Sequence, residues 1–561
     1  MRKDIEPAHV NKSEVRPAPA RPKRHKSKTP SKLEQSVPPP APWSSHLSPV
    51  RAFSLPFVVT LGLAAFAFLP SVRQNSHVLW AFWGAAATLF AWNVALLASA
   101  RRTSRTLTLA IELRKQHYLQ ACAQLSVFVY WGWYWSPVYA SVHLIAGQLV
   151  FAYAFDMLLS WSRRETYVLG FAPFPVIFSI NLFLWFKPDW FYLQFLMVAL
   201  GFAAKEFIRW DREGRRAHIF NPSSFPLAMF SLGLLLTGTS DITWGVDIAT
   251  TQFYPPHVYL MLFLIGLPGQ FFFGVTPMTM AAVVTTYLFG LMYFAWTGIY
   301  FFFDSYIPIA VFLGMHLLFT DPSTSPRTEL GRLIFGALYG LSTVCLYYLL
   351  ATMGAPTFYD KLLQVPIMNL SVKMIDRAAR SELLRAFDPA ALGRWLAPRQ
   401  RNLAYMSVWA IVFGVMSAVD GVGDNHPGQF VPFWQQACAE ARPYACPYLD
   451  DMQQTHCVRE SGWSCNEFGV SAVERGSDFA AAAESFQRGC DLGFPTSCGN
   501  RDRLSDGARM FERGAPTLND YPIVLRGTKG PISDRTPSRL YARACEQGWP
   551  DGCRRSNDPS P

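Results

Sequence analysis

Residues 333–350 read Leu-Ile-Phe-Gly-Ala-Leu-Tyr-Gly-Leu-Ser-Thr-Val-Cys-Leu-Tyr-Tyr-Leu-Leu, a run without a single charge. At about 1.5 Å per helical residue such a run reaches across most of a ~30 Å hydrocarbon layer. A soluble bundle helix would carry a polar stripe at the 3.6-residue period. Neither this run nor 79–100 carries one. Lipid offers no partner for backbone N–H and C=O groups, so stretches of this kind must satisfy themselves as helices.

Similar stretches recur at 53–72, 77–100, 118–136, 138–160, 167–186, 190–208, 222–238, 257–275, 278–299, 305–319, 332–353 and 402–419. Many have Trp, Tyr or Phe near their ends, as rings anchored at headgroup depth do. The chain is 51% hydrophobic and 16% charged, against about 25% charged in a soluble domain. The expected fold class is therefore an all-α polytopic membrane protein with about ten to twelve transmembrane helices. Its domains divide as a tail (1–51), a membrane domain (52–353), a basic segment (354–401), a final span (402–420) and a cysteine-rich domain (421–561).

The net charge of +11 comes largely from the tail, which is rich in Lys, Arg and Pro and poor in apolar residues. Such composition predicts disorder. The run Lys23-Arg24-His25-Lys26 suits anionic headgroups or a cytoplasmic flank, and the tail lacks the interleaved aromatics of a nucleic-acid site. Fifty residues without an apolar run also exclude a signal peptide at this position.

Orientation follows the loops rich in Lys and Arg. Arg101, Arg102, Arg105, Arg114 and Lys115 mark one cytoplasmic loop, Arg163 and Arg164 a second, and Lys205, Arg209, Arg212, Arg215 and Arg216 a third. The basic segment 354–401 reads as short amphipathic helices, such as Met374–Phe387, on the same side. Five apolar stretches after the third basic loop would put it on the wrong side. The expectation is therefore that 257–275, interrupted by Gly266, Pro268 and Gly269, is re-entrant, at the cost of placing Arg327 and Arg332 outside. The span 402–419 then carries the last domain outward.

Cys122 and Cys345 lie in apolar stretches and read as packing residues. The other cysteines form Cys438/Cys446, Cys457/Cys465, Cys490/Cys498 and Cys545/Cys553, each pair enclosing seven residues. Zinc ligands are normally spaced two to four apart. A gap of seven suits a helix end, a turn and a returning helix, which brings two Cα atoms to about 4.4–6.8 Å for a disulfide. Disulfides persist in oxidising compartments, so this domain should be extracytoplasmic. Around the last two pairs the sequence repeats, as FQRGCDLGFPTSCG from Phe486 and YARACEQGWPDGC from Tyr541. The pattern resembles cysteine-rich Sel-like (TPR-like) repeats, less closely at the first two pairs, where Gly493 and Gly548 have no equivalent beside Cys438. The resemblance implies α/α hairpins that bind other membrane or periplasmic proteins.

Two polar patches interrupt the membrane domain. One is His218-Ile219-Phe220-Asn221-Pro222-Ser223-Ser224-Phe225, readable as a helix cap with Pro at its first position. The other is Leu318-Phe319-Thr320-Asp321-Pro322-Ser323-Thr324-Ser325-Pro326-Arg327, followed by small residues Gly331, Gly336, Ala337 and Gly340. Asp321 at the end of an apolar helix needs a partner or a task. This ordered pair over about residues 110–355 resembles the RnfD/NqrB membrane subunits of ion-pumping, flavin-containing electron-transport complexes, and more closely an UnbU-like branch of them. The resemblance implies two five-helix halves, urea-channel-like, in the bacterial inner membrane, and redox-linked electron transfer and transmembrane transport with a flavin or a quinone. It marks Asn221, Asp321, Thr324, Gly274 and Thr276 as cofactor-binding. In the family FMN is esterified to a threonine in Asp-x-x-Ser/Thr-Gly-Ala-Thr. Here Gln270, Phe273 and Val275 replace three of those positions, which argues against covalent FMN on Thr276 and leaves free FMN or riboflavin. Haem would need paired histidines, and the spacing of His143, His257 and His316 shows no such pair. No catalytic nucleophile, phosphate loop or zinc-protease helix is visible. The alternatives are a non-redox transporter or channel, or an anchor presenting the repeat domain.

Overall fold

The computed structural model describes residues 43–557 except 213, 477–478 and 526–534. The expected disordered tail lies outside the described residues up to 42; Trp43–Leu47 forms a short strand (β1), and helix begins already at Pro49. The bundle contains α1 (Pro49–Phe66), α2 (Ser76–Arg102), α3 (Lys115–Tyr134), α4 (Val142–Arg163), α5 (Pro173–Asn181), α6 (Tyr192–Phe207), α7 (Ser224–Thr237), α8 (Val258–Phe273), α9 (Thr276–Thr297), α10 (Ile309–Leu317), α11 (Glu329–Thr352), α12 (Asp360–Ala379) and α13 (Pro398–Ala418). Five of these, α1, α2, α4, α9 and α11, are long and apolar enough to cross a membrane, and α7 and α8 are apolar but shorter. Local chemistry sets their ends. The Asn75 side chain caps α2 and Thr328 caps α11. Gly238, Gly274 and Gly298 end α7, α8 and α9 in the left-handed conformation.

The packing repeats. Helix α3 lies on α5 as α8 lies on α10; α4 lies on α5 and α6 as α9 lies on α10 and α11; α6 lies on α7 as α11 lies on α12. The halves meet through α3 against α8 and α7 against α12. They run in opposite senses. At one end, hereafter the basic end, the α3 start lies near the α10 finish, with Gln120 Nε2 donating to Leu317 O and Asn221 Nδ2 to Leu318 O. At the other, Tyr130 near the end of α3 meets Pro256 O just before α8, and Trp244 N donates to Trp185 O.

Three expectations change. The stretches 167–186 and 305–319 are not full spans. Each holds one nine-residue helix, α5 or α10, with a remainder that is largely turn and irregular backbone, and α10 is buried along its whole length. Gly170, Pro173 and Pro175 shorten the first, because proline lacks the N–H that a longer helix needs. Second, 257–275 is not broken: α8 runs without interruption through Pro268 to Phe273. Third, 354–401 is not only a set of surface helices. Its first part is α12, packed on α7 and α11 with Gln364, Asn369 and Asp376 buried. Helix α12 therefore runs back along the bundle and returns 380–401 to the basic end, with α8 unbroken. Arg332 lies at that end too, donating to Gly274 O at 2.6 Å.

The fold is not purely helical. Leu107–Ile111 (β2) pairs in parallel with Thr166–Leu169 (β3), and Arg209–Arg212 (β4) pairs antiparallel with Arg215–His218 (β5), all at the basic end. Cys122 and Cys345, read as packing residues, are exposed on the bundle surface.

The last domain contains α14 (Val431–Ala439), α15 (Ala445–Val458), α16 (Gly462–Glu474), α17 (Phe479–Asp491), α18 (Pro495–Ser505), α19 (Pro537–Glu546) and α20 (Pro550–Asn557). All four expected cysteine pairs are disulfides, with Cα–Cα distances of 4.4–4.6 Å. Each links the end of one helix to the start of the next. Cys438 of α14 is joined to Cys446 of α15, and Cys457 of α15 to Cys465 of α16. Cys490 of α17 is joined to Cys498 of α18, and Cys545 of α19 to Cys553 of α20. Three residues after each first cysteine the backbone is left-handed, at Ala441, Glu460, Gly493 and Gly548. The first two hairpins thus share the turn without sharing the glycine. The domain docks on the bundle through aromatic rings, Phe303 on Trp434 and Tyr300 on Phe433.

Candidate functional site

The five residues singled out from sequence as cofactor-binding all lie at the basic end. Asn221 Oδ1 accepts from the N–H groups of Ser223 and Ser224 at 2.9 and 3.2 Å, which caps α7, while its Nδ2 reaches across to Leu318 O at 3.0 Å. Asn369 on α12 accepts from Asn221 N and donates to Thr324 O. Asp321 accepts from Ser323 N at 2.9 Å and faces His218 at 3.8 Å. Arg212, on β4, donates to Ser323 O, Ser325 O and Asp376 Oδ2, the last at 2.9 Å. Asp376 also accepts from Arg327 N. The two motifs are thus brought together, and each group named here has a partner inside the protein.

Thr276 and Gly274 stand in the α8–α9 turn. Thr276 is fully buried and its Oγ1 lies 3.3 Å from Asn402 Oδ1 of α13, whose Nδ2 donates to Phe271 O. A phosphoester on that oxygen would have to displace α13. The residues present do not fit a flavin attached at Thr276, in keeping with the altered positions Gln270, Phe273 and Val275. The histidines do not pair for haem either: His257 is exposed and bonded near Asp424, whereas His316 is buried with Nδ1 on Phe312 O. Among the described residues no group of three His, Cys, Asp or Glu could hold a metal.

The opposite end is different. A cavity of about 620 Å³ lies between the bundle and the disulfide domain. Its bundle wall comes from the α7–α8, α9–α10 and α11–α12 connections, including Asp247, Tyr254, Asp304 and Phe358. Its other wall comes from the turn Pro427–Gln429 and from α15, including Gln429 and His456. Phe303 holds a left-handed φ of 68°, uncommon for a bulky residue. Stacked on Trp434, it sets the loop that carries Asp304 to the cavity wall. The disulfide cysteines stay out of the wall. Cys438, Cys446, Cys457, Cys465, Cys490, Cys498, Cys545 and Cys553 hold the hairpins together and do not line the space.

Two of the polar atoms on the residues here are not satisfied. Gln429 Oε1 and His456 Nδ1 are buried without a hydrogen-bond partner. Burial, with Arg459 adding to it, holds the His456 imidazole down at about 4, so it is neutral near pH 7. Withdrawal from water pushes the Asp304 carboxyl up to about 7, against a hydrogen bond from Ser305 that favours its charged form. Lys361 Nζ lies 3.0 Å from Asp360. Sequence reasoning missed every one of these residues. They come from separate segments, and none sits in a motif. No family model, curated protein or solved structure matches the chain.

Proposed function

We propose that the chain is a multi-pass integral membrane protein of the RnfD/NqrB architectural kind that works without a covalent flavin. It binds a solute at the outer mouth of its two-halved bundle for transport, and the disulfide-stapled repeat domain caps that mouth. The observation that carries this reading is the cavity walled jointly by bundle and cap, because ligand sites are enclosed and gather a few polar groups among apolar ones. Inverted halves with shortened helices in matching positions, here α5 and α10, are the arrangement in which transporters build substrate paths.

Membrane placement has three supports. Five helices have the length and composition to cross. The bundle exposes large apolar side chains on many helices, among them Trp80, Leu236, Trp296 and Ile411, far beyond the isolated patches of soluble proteins. The connections at the basic end carry nearly all the Lys and Arg of the bundle loops, whereas the cap end has only Arg73, Lys187 and Lys361. On this reading the chain crosses thirteen times, at α5 and α10 by a half-length helix together with the non-helical backbone beside it, the amino-terminal side is cytoplasmic, and the cap lies in the periplasm of a bacterial inner membrane, where its disulfides persist. The repeat array then faces partner subunits.

Two labels test the reading with Cys122 and Cys345 replaced by alanine. Met510→Cys in the cap should react with a membrane-impermeant maleimide on intact cells, and Trp395→Cys at the basic end only after permeabilisation; both side chains are well exposed. Labelling of Trp395→Cys from outside would overturn it. The redox-linked alternative, with a flavin or quinone, rests on the family resemblance. A flavin band in the absorption spectrum of detergent-purified protein, or flavin fluorescence surviving denaturing electrophoresis, would favour it instead.

A further inference from the structure

We propose that the cap-end cavity takes a small organic cation, a primary ammonium or guanidinium on a short carbon frame, with Asp304 as its counter-charge and the Gln429 amide oxygen as its second acceptor. The inference rests on the capped-mouth reading and names its substrate class.

Charge makes the first argument. The walls carry Asp247, Asp304, Asp360 and Asp451 against Lys361 and Arg459, with His456 neutral. Lys361 and Asp360 neutralise each other at 3.0 Å, which leaves the remaining carboxyls in excess. Asp304 has no cationic partner among the described residues; its side-chain bond is from the Ser305 hydroxyl at 3.1 Å. A carboxyl in that position is costly alone and relieved by a cation.

Hydrogen bonding makes the second. Gln429 is 4% exposed, and its Oε1 lacks only a donor. Gln429 and Asp304 line the same cavity, and their chain neighbours touch, since a Cβ on Gly428 would stand 2.4 Å from Phe303 O. Two acceptors on residues lining one cavity call for a ligand with several N–H donors. An ammonium or guanidinium offers three to five. An oxidised quinone or a flavin carbonyl edge would bring acceptors to acceptors, and an anion would meet the excess carboxyls. On the facing wall His456, 3% exposed with Nδ1 unpartnered, adds one neutral polar contact.

The walls make the third. Tyr254, Phe302, Phe303, Tyr347 and Phe358 line the same space, and aromatic faces attract a desolvated cation as well as covering its carbon frame. The cavity's 620 Å³ admits a frame of a few carbons together with water.

The test is calorimetric titration of the full-length protein in detergent at pH 8, with agmatine as the cation and N-butylurea as the neutral probe of similar size. Agmatine should bind at least tenfold more tightly than N-butylurea. Asp304→Asn and Gln429→Leu should each weaken agmatine at least tenfold while the near-ultraviolet circular dichroism of the protein is retained. A loss of binding that accompanies loss of that signal in one variant leaves the other variant to decide. Equal binding of both probes overturns the cation assignment, and no binding of either overturns the site. The labelling experiment uses no ligand, so a failed titration with Met510→Cys still reachable only from outside sinks this inference alone, whereas Trp395→Cys labelled from outside sinks the underlying reading as well.

Discussion

The two ends of the bundle are both polar, yet the polar groups that stand out at each are held in opposite ways, although Ser325 Oγ and the Gln270 amide at the basic end also lack a partner. At the basic end Arg212, Asn221, Asn369 and Asp376 spend their hydrogen bonds on each other and on the backbone of the 318–328 loop. At the cap end Gln429 Oε1 and His456 Nδ1, on two residues of the cavity wall, are buried with nothing to bond. A buried polar group that is satisfied is part of the frame, and one left unsatisfied calls for an explanation. The motifs most conspicuous in the sequence belong to the frame.

The largest expected effect comes from breaking that frame. Arg212 and Asp376 are both nearly buried, and truncating one partner of such a pair costs about 3–5 kcal/mol because the other charge is stranded. Arg212→Ala should therefore lower the thermal midpoint of the purified protein sharply, while Arg212→Lys, which keeps the charge but not the fork, should fall between. An unchanged midpoint for Arg212→Ala would show that the basic end is not the structural one.

The cap end should instead answer to pH. His456 titrates at about 4 in the folded protein, below the usual value near 6.5. Its contribution is complete above the unfolded value and is lost as pH falls from about 6.5 through 4, for a total of ~3 kcal/mol. Burial lifts Asp450, Asp451 and Glu467 of the same domain, and those shifts act in the opposite direction. The difference between the protein and His456→Gln, followed by circular dichroism from pH 7.5 to 4.5, isolates the histidine. Parallel curves for the two would remove it from the argument.

Opening one staple should cost somewhat less. Cys490 and Cys498 close a short loop, with a sequence separation of 8, worth ~2.5 kcal/mol in the chain-entropy account. The double alanine variant should lower the urea midpoint of the cap and leave the bundle's far-ultraviolet signal standing. Simultaneous loss of both would mean that cap and bundle unfold as one. The smallest effect is a gain. Glu460 occupies the left-handed turn position that glycine takes in the last two hairpins, so Glu460→Gly should raise cap stability by ~0.5 kcal/mol once the added freedom of the unfolded chain is deducted.

How much of this could be read beforehand differs by element. The long apolar helices α2, α9 and α11 were plain, because hydrophobic length is a property of the chain alone. So was the hairpin geometry that joins Cys438 to Cys446, Cys457 to Cys465 and Cys545 to Cys553, since a fixed gap of seven favours one local solution. The half-length helices α5 and α10 were misread as full spans because irregular backbone buried in protein has the same composition as a helix facing lipid. Helix α12 was misread for the converse reason. Its buried face carries Gln364, Asn369 and Asp376, which look like a surface until their partners on other helices are known.

Composition and spacing by themselves determined that this chain is helical, rich in apolar segments and stapled in pairs near its end, because those properties depend on residues close together in sequence. Which polar groups are spent and which are left waiting was decided only by the tertiary structure. Asp304, Gln429 and His456 are separated by more than a hundred positions at their widest, and no local pattern can say whether a donor will be standing across from them.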